Sequence, residues 1–163
     1  MEHFLSKELI WTRKPQQAVV TQETVEIVTE PHTDLWQRTY YGFQNDNAPV
    51  LQIRTKEPYF SFTVRTEFHS KRRFDQCGIA LYLDSENWLK ASIEYENERF
   101  QRLGSVVTNH GYSRRDHGNV VPAEPAGERL LHRVQRGRHS VPADAHLPPV
   151  EWRRRNFLWH LRL

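Results

Sequence analysis

Hydrophobic and polar residues alternate with a period of two along residues 1 to 112, in short runs separated by turn-forming residues. That period sends successive side chains to opposite faces of an extended strand, so the pattern predicts an all-β protein whose strands each bury one face. Helical periodicity is not evident there. The runs predict strands near Trp11 and over 24–30, 36–43, 50–55, 59–68, 77–83, 88–95 and 100–109. In the run over 59–68, Phe60, Phe62, Val64 and Phe68 share the face expected to meet the core, while Tyr59, Ser61, Thr63, Arg65 and Glu67 share the other. Asp84, Ser85, Glu86 and Asn87 form a polar connection suited to a hairpin. Beyond it, Leu89, Ala91, Ile93 and Tyr95 alternate with Trp88, Lys90, Ser92 and Glu94, which predicts a polar, aromatic-lined outer surface.

From Ser113 the texture changes. Residues 113 to 163 contain 10 Arg, five His and five Pro but neither Lys nor Tyr, and alternation lapses after a few residues. The expectation is a sandwich over 1–113, incomplete at its C-terminus, followed by an atypical Arg/Pro-rich tail over 114–163. Such a tail is either disordered or the product of a shifted, GC-rich reading frame, which enriches Arg, Pro, Ala, Gly and His.

Charge divides the same way. Residues 1 to 112 hold 13 Lys+Arg against 15 Asp+Glu, and the rest hold 10 against 5, so the net charge of +3 belongs to the tail. A net acidic front argues against a phosphate-tracking surface, although Arg153 to Arg155 between Trp152 and Phe157 mixes cation and aromatic as a single-strand binder does. Nucleic acid is therefore not the expected partner. At 163 residues one domain is the default. No stretch approaches the roughly 18–20 apolar residues of a membrane span, and the N-terminus lacks a signal-peptide pattern, so no membrane association and a cytoplasmic location are expected. The lone Cys77 lies in the apolar run CGIALYL and reads as a reduced, buried thiol. The nine His have no metal-ligand spacing, and NDN at 45–47 reads as a turn rather than a calcium loop, so neither metal nor cofactor is expected.

The strings PHTDLWQRTYYGFQNDN and FDQCGIALYLDSENWLKASIEYENERFQRLGSVVTNHGYS resemble a bacterial and fungal family of uncharacterised concanavalin A-like domains that includes YesU-type and regulation-of-enolase-type proteins. The likeness covers roughly residues 4 to 113. It implies a jelly-roll sandwich of two curved antiparallel sheets, with a concave face where relatives of the fold bind sugars. The family continues with an Asp-Trp pair and an RRG-containing strand, whereas here Ser113 is followed by Arg114 and Arg115. Sheet edges left open by that departure are expected to favour oligomers.

On that fold, Trp36, Arg38, Tyr40, Lys90, Glu94, Arg102 and Asn109 form the candidate ligand-binding set. Carbohydrate recognition needs an aromatic face against sugar C–H groups, with planar donors and acceptors for the hydroxyls. The expected function is lectin-like binding of a carbohydrate or glycoconjugate. One alternative is a glycoside-active enzyme using Glu94 and Glu96, whose spacing along a strand suits a carboxylate pair. Against it, the E-x-D-x-E arrangement of laminarinase-like relatives is absent, and no catalytic residue is assigned. The other alternative is a regulator that binds a metabolic enzyme.

Overall fold

A computed structural model describes residues 7–40, 42–56, 60–116, 120–122, 130–136 and 157–162. Among these residues there is no helix, and every strand pairing is antiparallel. Fourteen strands are described: β1 (Ile10–Thr12), β2 (Gln17–Val20), β3 (Val25–Val28), β4 (Leu35–Gln37), β5 (Gln44–Asp46), β6 (Val50–Thr55), β7 (Phe60–Thr66), β8 (Gln76–Asp84), β9 (Asn87–Asn97), β10 (Phe100–Asn109), β11 (Tyr112–Asp116), β12 (Val120–Pro122), β13 (Leu130–Arg136) and β14 (Phe157–Arg162). The main sheet runs β1-β6-β14-β8-β9-β10-β11, with β12 also on β10, and β2–β3, β4–β5 and β7–β13 form two-stranded sheets. This is the β-sandwich the alternation predicts.

Both faces of the main sheet carry apolar side chains, because β6 is buried on both sides. Val50, Tyr82, Trp88 and Val106 pack under Leu35, Ala48 and Trp36 from the β4–β5 region. Leu51, pointing the other way, packs with Val25, Trp11, Ile27, Phe62 and Val64. Phe60, Phe62 and Val64 are half-buried while Ser61, Thr63 and Arg65 are exposed, as their alternation requires.

Two elements differ from the sequence reading. The run over 36–43 is not one strand: after β4 the backbone turns through positive φ at Arg38 (61°), Tyr40 (59°) and Gly42 (70°) and returns as β5. Gln17–Val20 pairs with β3 although its pattern lacks alternation, because residues on both faces of this strand are exposed and no buried face imposes a period of two. The 113/114 boundary falls within β11, whose Arg114 and Arg115 pair with Val107 and Val106. Farther on, β13 runs beside β7, and β14 lies between β6 and β8.

Ser113 fixes β11 to β4. Its buried hydroxyl accepts a hydrogen bond from the Gln37 backbone N–H at 2.7 Å and lies 2.6 Å from the Thr108 hydroxyl. Replacing Ser113 by alanine leaves a buried N–H unsatisfied, and a loss of about 1–2 kcal/mol is expected in chemical denaturation. An unchanged midpoint would show that water replaces the hydroxyl.

Candidate functional site

The site grows from one row of side chains on the main sheet. The pairing register places Gln76, Gly78, Ala80 and Tyr82 of β8 opposite Glu94, Ser92, Lys90 and Trp88 of β9. Trp88, Lys90, Ser92 and Glu94 lie in turn opposite Thr108, Val106, Gly104 and Arg102 of β10. Residues paired across neighbouring strands share a face, so Lys90, Ser92, Glu94 and Arg102 project together. The sequence reading puts this face outside. It is inside: Lys90 is 6% exposed, Ser92 9% and Glu94 9%. The cause is the layer above, since Leu35 and Trp36 pack over the Trp88 end and Asp34 reaches Lys90.

Burying these charges requires partners. The Lys90 ammonium donates to Asp34 Oδ1 at 2.8 Å, and Asp34 Oδ1 also accepts from the Leu35 N–H at 2.7 Å. Gln76 accepts a hydrogen bond from Ser92 Oγ at 3.0 Å, and its own amide reaches Asp34 at 3.4 Å. Glu94 accepts from Arg115 Nη2 of β11 at 2.7 Å. Lys90 and Glu94 are thus bound to other residues, not to each other as an ordinary same-face ion pair.

One large cavity takes in Trp36, Tyr40, Lys90, Glu94 and Arg102 with Asp34, Gln76 and Arg115, and it extends beyond this row to Ile27, Phe62 and Val64. Trp36 and Tyr40 pack edge to face with centroids 6.5 Å apart, and the indole N–H donates to the Thr39 carbonyl at 2.6 Å. Tyr40 is 68% exposed, an aromatic surface at the cleft margin.

The other two expected residues lie outside the cleft lining. Arg38 turns away and makes a two-pronged contact to Glu86, at 3.0 and 3.2 Å, and donates to the Gly111 carbonyl at 2.7 Å. The Glu86 carboxylate holds the Arg38 guanidinium above its usual pKa. Its role is to fasten the aromatic turn to the β8–β9 and β10–β11 turns. Gly111, at φ 75°, leaves room for it, because a Cβ there would overlap the guanidinium. Asn109 sits at the end of β10, opposite Tyr112.

Glu96, the second acid of the enzymatic alternative, is held by Arg102 Nε at 3.0 Å and by Arg73 Nη2 at 2.6 Å. The Arg102 hydrogen bond, followed by the charge of Arg73, draws its carboxyl below the ordinary value of 4.5. A carboxyl tuned this way stays ionised, whereas a glycosidase general acid needs a raised pKa. Because the folded pKa lies below the unfolded one, this contribution to stability is complete above the unfolded value and is lost as pH falls through the folded value. Glu96→Gln is therefore expected to flatten the acid side of the stability profile below about pH 4.5 and leave pH 7 to 8 flat. An unaltered acid limb would show that the Arg102 contact is not maintained in solution.

Asp34, Gln76 and Arg115 were not among the expected site residues. Asp34 stands in the segment PHTDLW, but nothing local announces that its partner is Lys90, 56 residues away. Arg115 falls where alternation had already lapsed.

A family model described as a protein of unknown function (DUF1349) matches residues 11–157. A curated relative, "Regulation of enolase protein 1" of Saccharomyces cerevisiae, is 34% identical over 99 residues, which is 61% of this chain and 49% of that one. The chain thus spans about half the length of that relative. A crystal structure of a functionally unknown protein from the same yeast superposes with a TM-score of 0.74 at 25% identity, covering 96% of this chain and 88% of the other.

Proposed function

This chain belongs to the DUF1349 family of proteins of unknown function, and from that premise we propose that it binds a carbohydrate or glycoconjugate in the cleft over Lys90, Ser92 and Glu94. The observation that carries the proposal is a row of buried, hydrogen-bonded polar groups beside an aromatic pair with an exposed Tyr40 ring. A sugar offers the complementary surface, with C–H groups for Trp36 and Tyr40 and hydroxyls for Lys90, Glu94 and Arg102. The internal ion pairs fix these groups before a ligand arrives, which lowers the ordering cost of binding.

Calorimetric titration with neutral and acidic hexasaccharides tests the proposal. The expected result is saturable binding of at least one hexamer, weakened about tenfold or more in Trp36→Ala by loss of a stacking platform. No binding across the panel, or binding indifferent to Trp36, would overturn it.

A second reading takes its support from the name of the yeast relative: a regulator that docks on a metabolic enzyme. A stoichiometric partner retained in the presence of excess free hexamer would favour that reading.

A further inference from the structure

Where the cleft passes β9 and β10, two guanidinium groups converge on one carboxylate. Glu96 receives Arg73 on Oε1 and Arg102 on Oε2. One arginine would neutralise it, so the second leaves a surplus positive charge. Among the described residues, the neighbouring carboxylates do not remove that surplus. Glu94 is taken by Arg115 and Asp34 by Lys90. Asp75 keeps its negative charge while it accepts the Lys71 and Arg72 backbone N–H groups at 2.8 and 2.9 Å, but the side chains of those two residues bring two positive charges to the same cleft margin, so the local sum stays positive.

Among the described residues, Arg73 bonds the protein only through Nη2 and Arg102 only through Nε. Each guanidinium carries five N–H donors, so most of them have no acceptor among the described residues. Both side chains remain accessible, at 60% and 40% exposure.

Arg73 is also held in place, which a solvated surface arginine is not. Its guanidinium lies 4.8 Å from the centroid of the Phe74 ring. Phe74 has φ 76°, an uncommon conformation for a bulky residue, and its N–H donates to the Tyr95 carbonyl at 2.9 Å. The backbone thus accepts strain where it presents this ring, 53% exposed, beside the arginine.

We propose that Arg73 and Arg102, oriented by Glu96, form a subsite for an oxyanion substituent of the bound glycan: a carboxylate, sulfate or phosphate ester. The assignment rests on the carbohydrate reading of the cleft for its ligand, but its anion chemistry is testable alone. Planar, fixed guanidinium groups with unused donors suit planar or tetrahedral oxyanions. Glu96 is the positioning residue, and Phe74 limits the arginine's freedom by stacking.

The test observes the arginine Nε–Hε resonances of the full chain during titration with inorganic phosphate or sulfate, then with alginate hexamer and its carboxyl-reduced neutral form. The expected result is a saturable shift confined to Arg73 and Arg102, abolished in Arg102→Gln and retained in Arg99→Gln, a substitution on the exposed β9–β10 turn. Alginate should bind about tenfold more tightly than the reduced hexamer, and Arg102→Gln should erase that difference. Tighter binding of inorganic phosphate than of either hexamer, with the shift at Arg73 and Arg102, would retain the subsite but identify a free oxyanion as its ligand. Shifts with inorganic anions but no binding of either hexamer would retain the subsite and remove the carbohydrate reading. Equal binding of both hexamers with no shift at Arg73 or Arg102 would overturn the subsite and leave that reading intact. Absence of every response would overturn both.

Discussion

Gly78→Val is expected to lower stability by about 4 kcal/mol or more, enough to reduce the melting temperature by roughly 10 °C. Gly78 lies in β8, opposite Ser92 of the polar row. A Cβ built there overlaps the Ala91 carbonyl oxygen and comes 2.6 Å from Ser92 Cα. Those atoms are backbone of the adjacent strand, so no rotamer change can relieve the contact. β9 would have to move away from β8, breaking the ladder that positions Lys90 and Glu94. Valine's ordinary preference for strands cannot offset this, because the site's constraint is steric. Thermal unfolding followed by circular dichroism measures the effect; a melting temperature within about 2 °C of wild type, less than the change from 1 kcal/mol, would contradict the close approach of the strands.

The second large effect is expected at Lys90. Lys90→Met keeps the apolar stem but removes the ammonium, leaving Asp34 with the Leu35 N–H and Gln76 amide. Breaking a fully buried pair costs about 3–5 kcal/mol. The Asp34 side chain is 30% exposed, so water recovers part of that loss and about 2–3 kcal/mol is expected here. Adding Asp34→Asn should recover at least about 1 kcal/mol, because the lone carboxylate disappears. Urea denaturation of the four proteins in this cycle measures the coupling. Strict additivity would mean that the Lys90–Asp34 contact contributes nothing and that Lys90 is stabilised by its surroundings alone.

The alternation made the strands legible because it is local. Val50–Thr55 and Phe100–Asn109 begin and end where the sequence pattern places them. Period two places Lys90 and Glu94 on one face of β9, and the register with β10 adds Arg102 to it. What alternation does not specify is which layer covers a face. Lys90 and Glu94 read as outward residues because charge is ordinarily solvated, and the covering Asp34–Trp36 segment is distant in sequence. Arg38 shows another limit. A break in strand geometry at φ 61° turns its side chain toward Glu86 and Gly111, within a run that reads as one continuous strand. Arg115 illustrates the remaining one: its value lies in a hydrogen bond to Glu94 across β10, which composition does not register.

The most direct test of the cleft as a glycan site is the indole N–H spectrum of the 15N-labelled protein during titration with the same hexasaccharide panel. Trp36 forms the aromatic wall of the cleft, whereas Trp11 packs with Leu51 on the opposite face of the main sheet. At least one hexamer should shift the Trp36 resonance saturably and leave Trp11 unmoved. A panel that shifts neither signal, or a ligand that shifts Trp11 alone, would contradict the account.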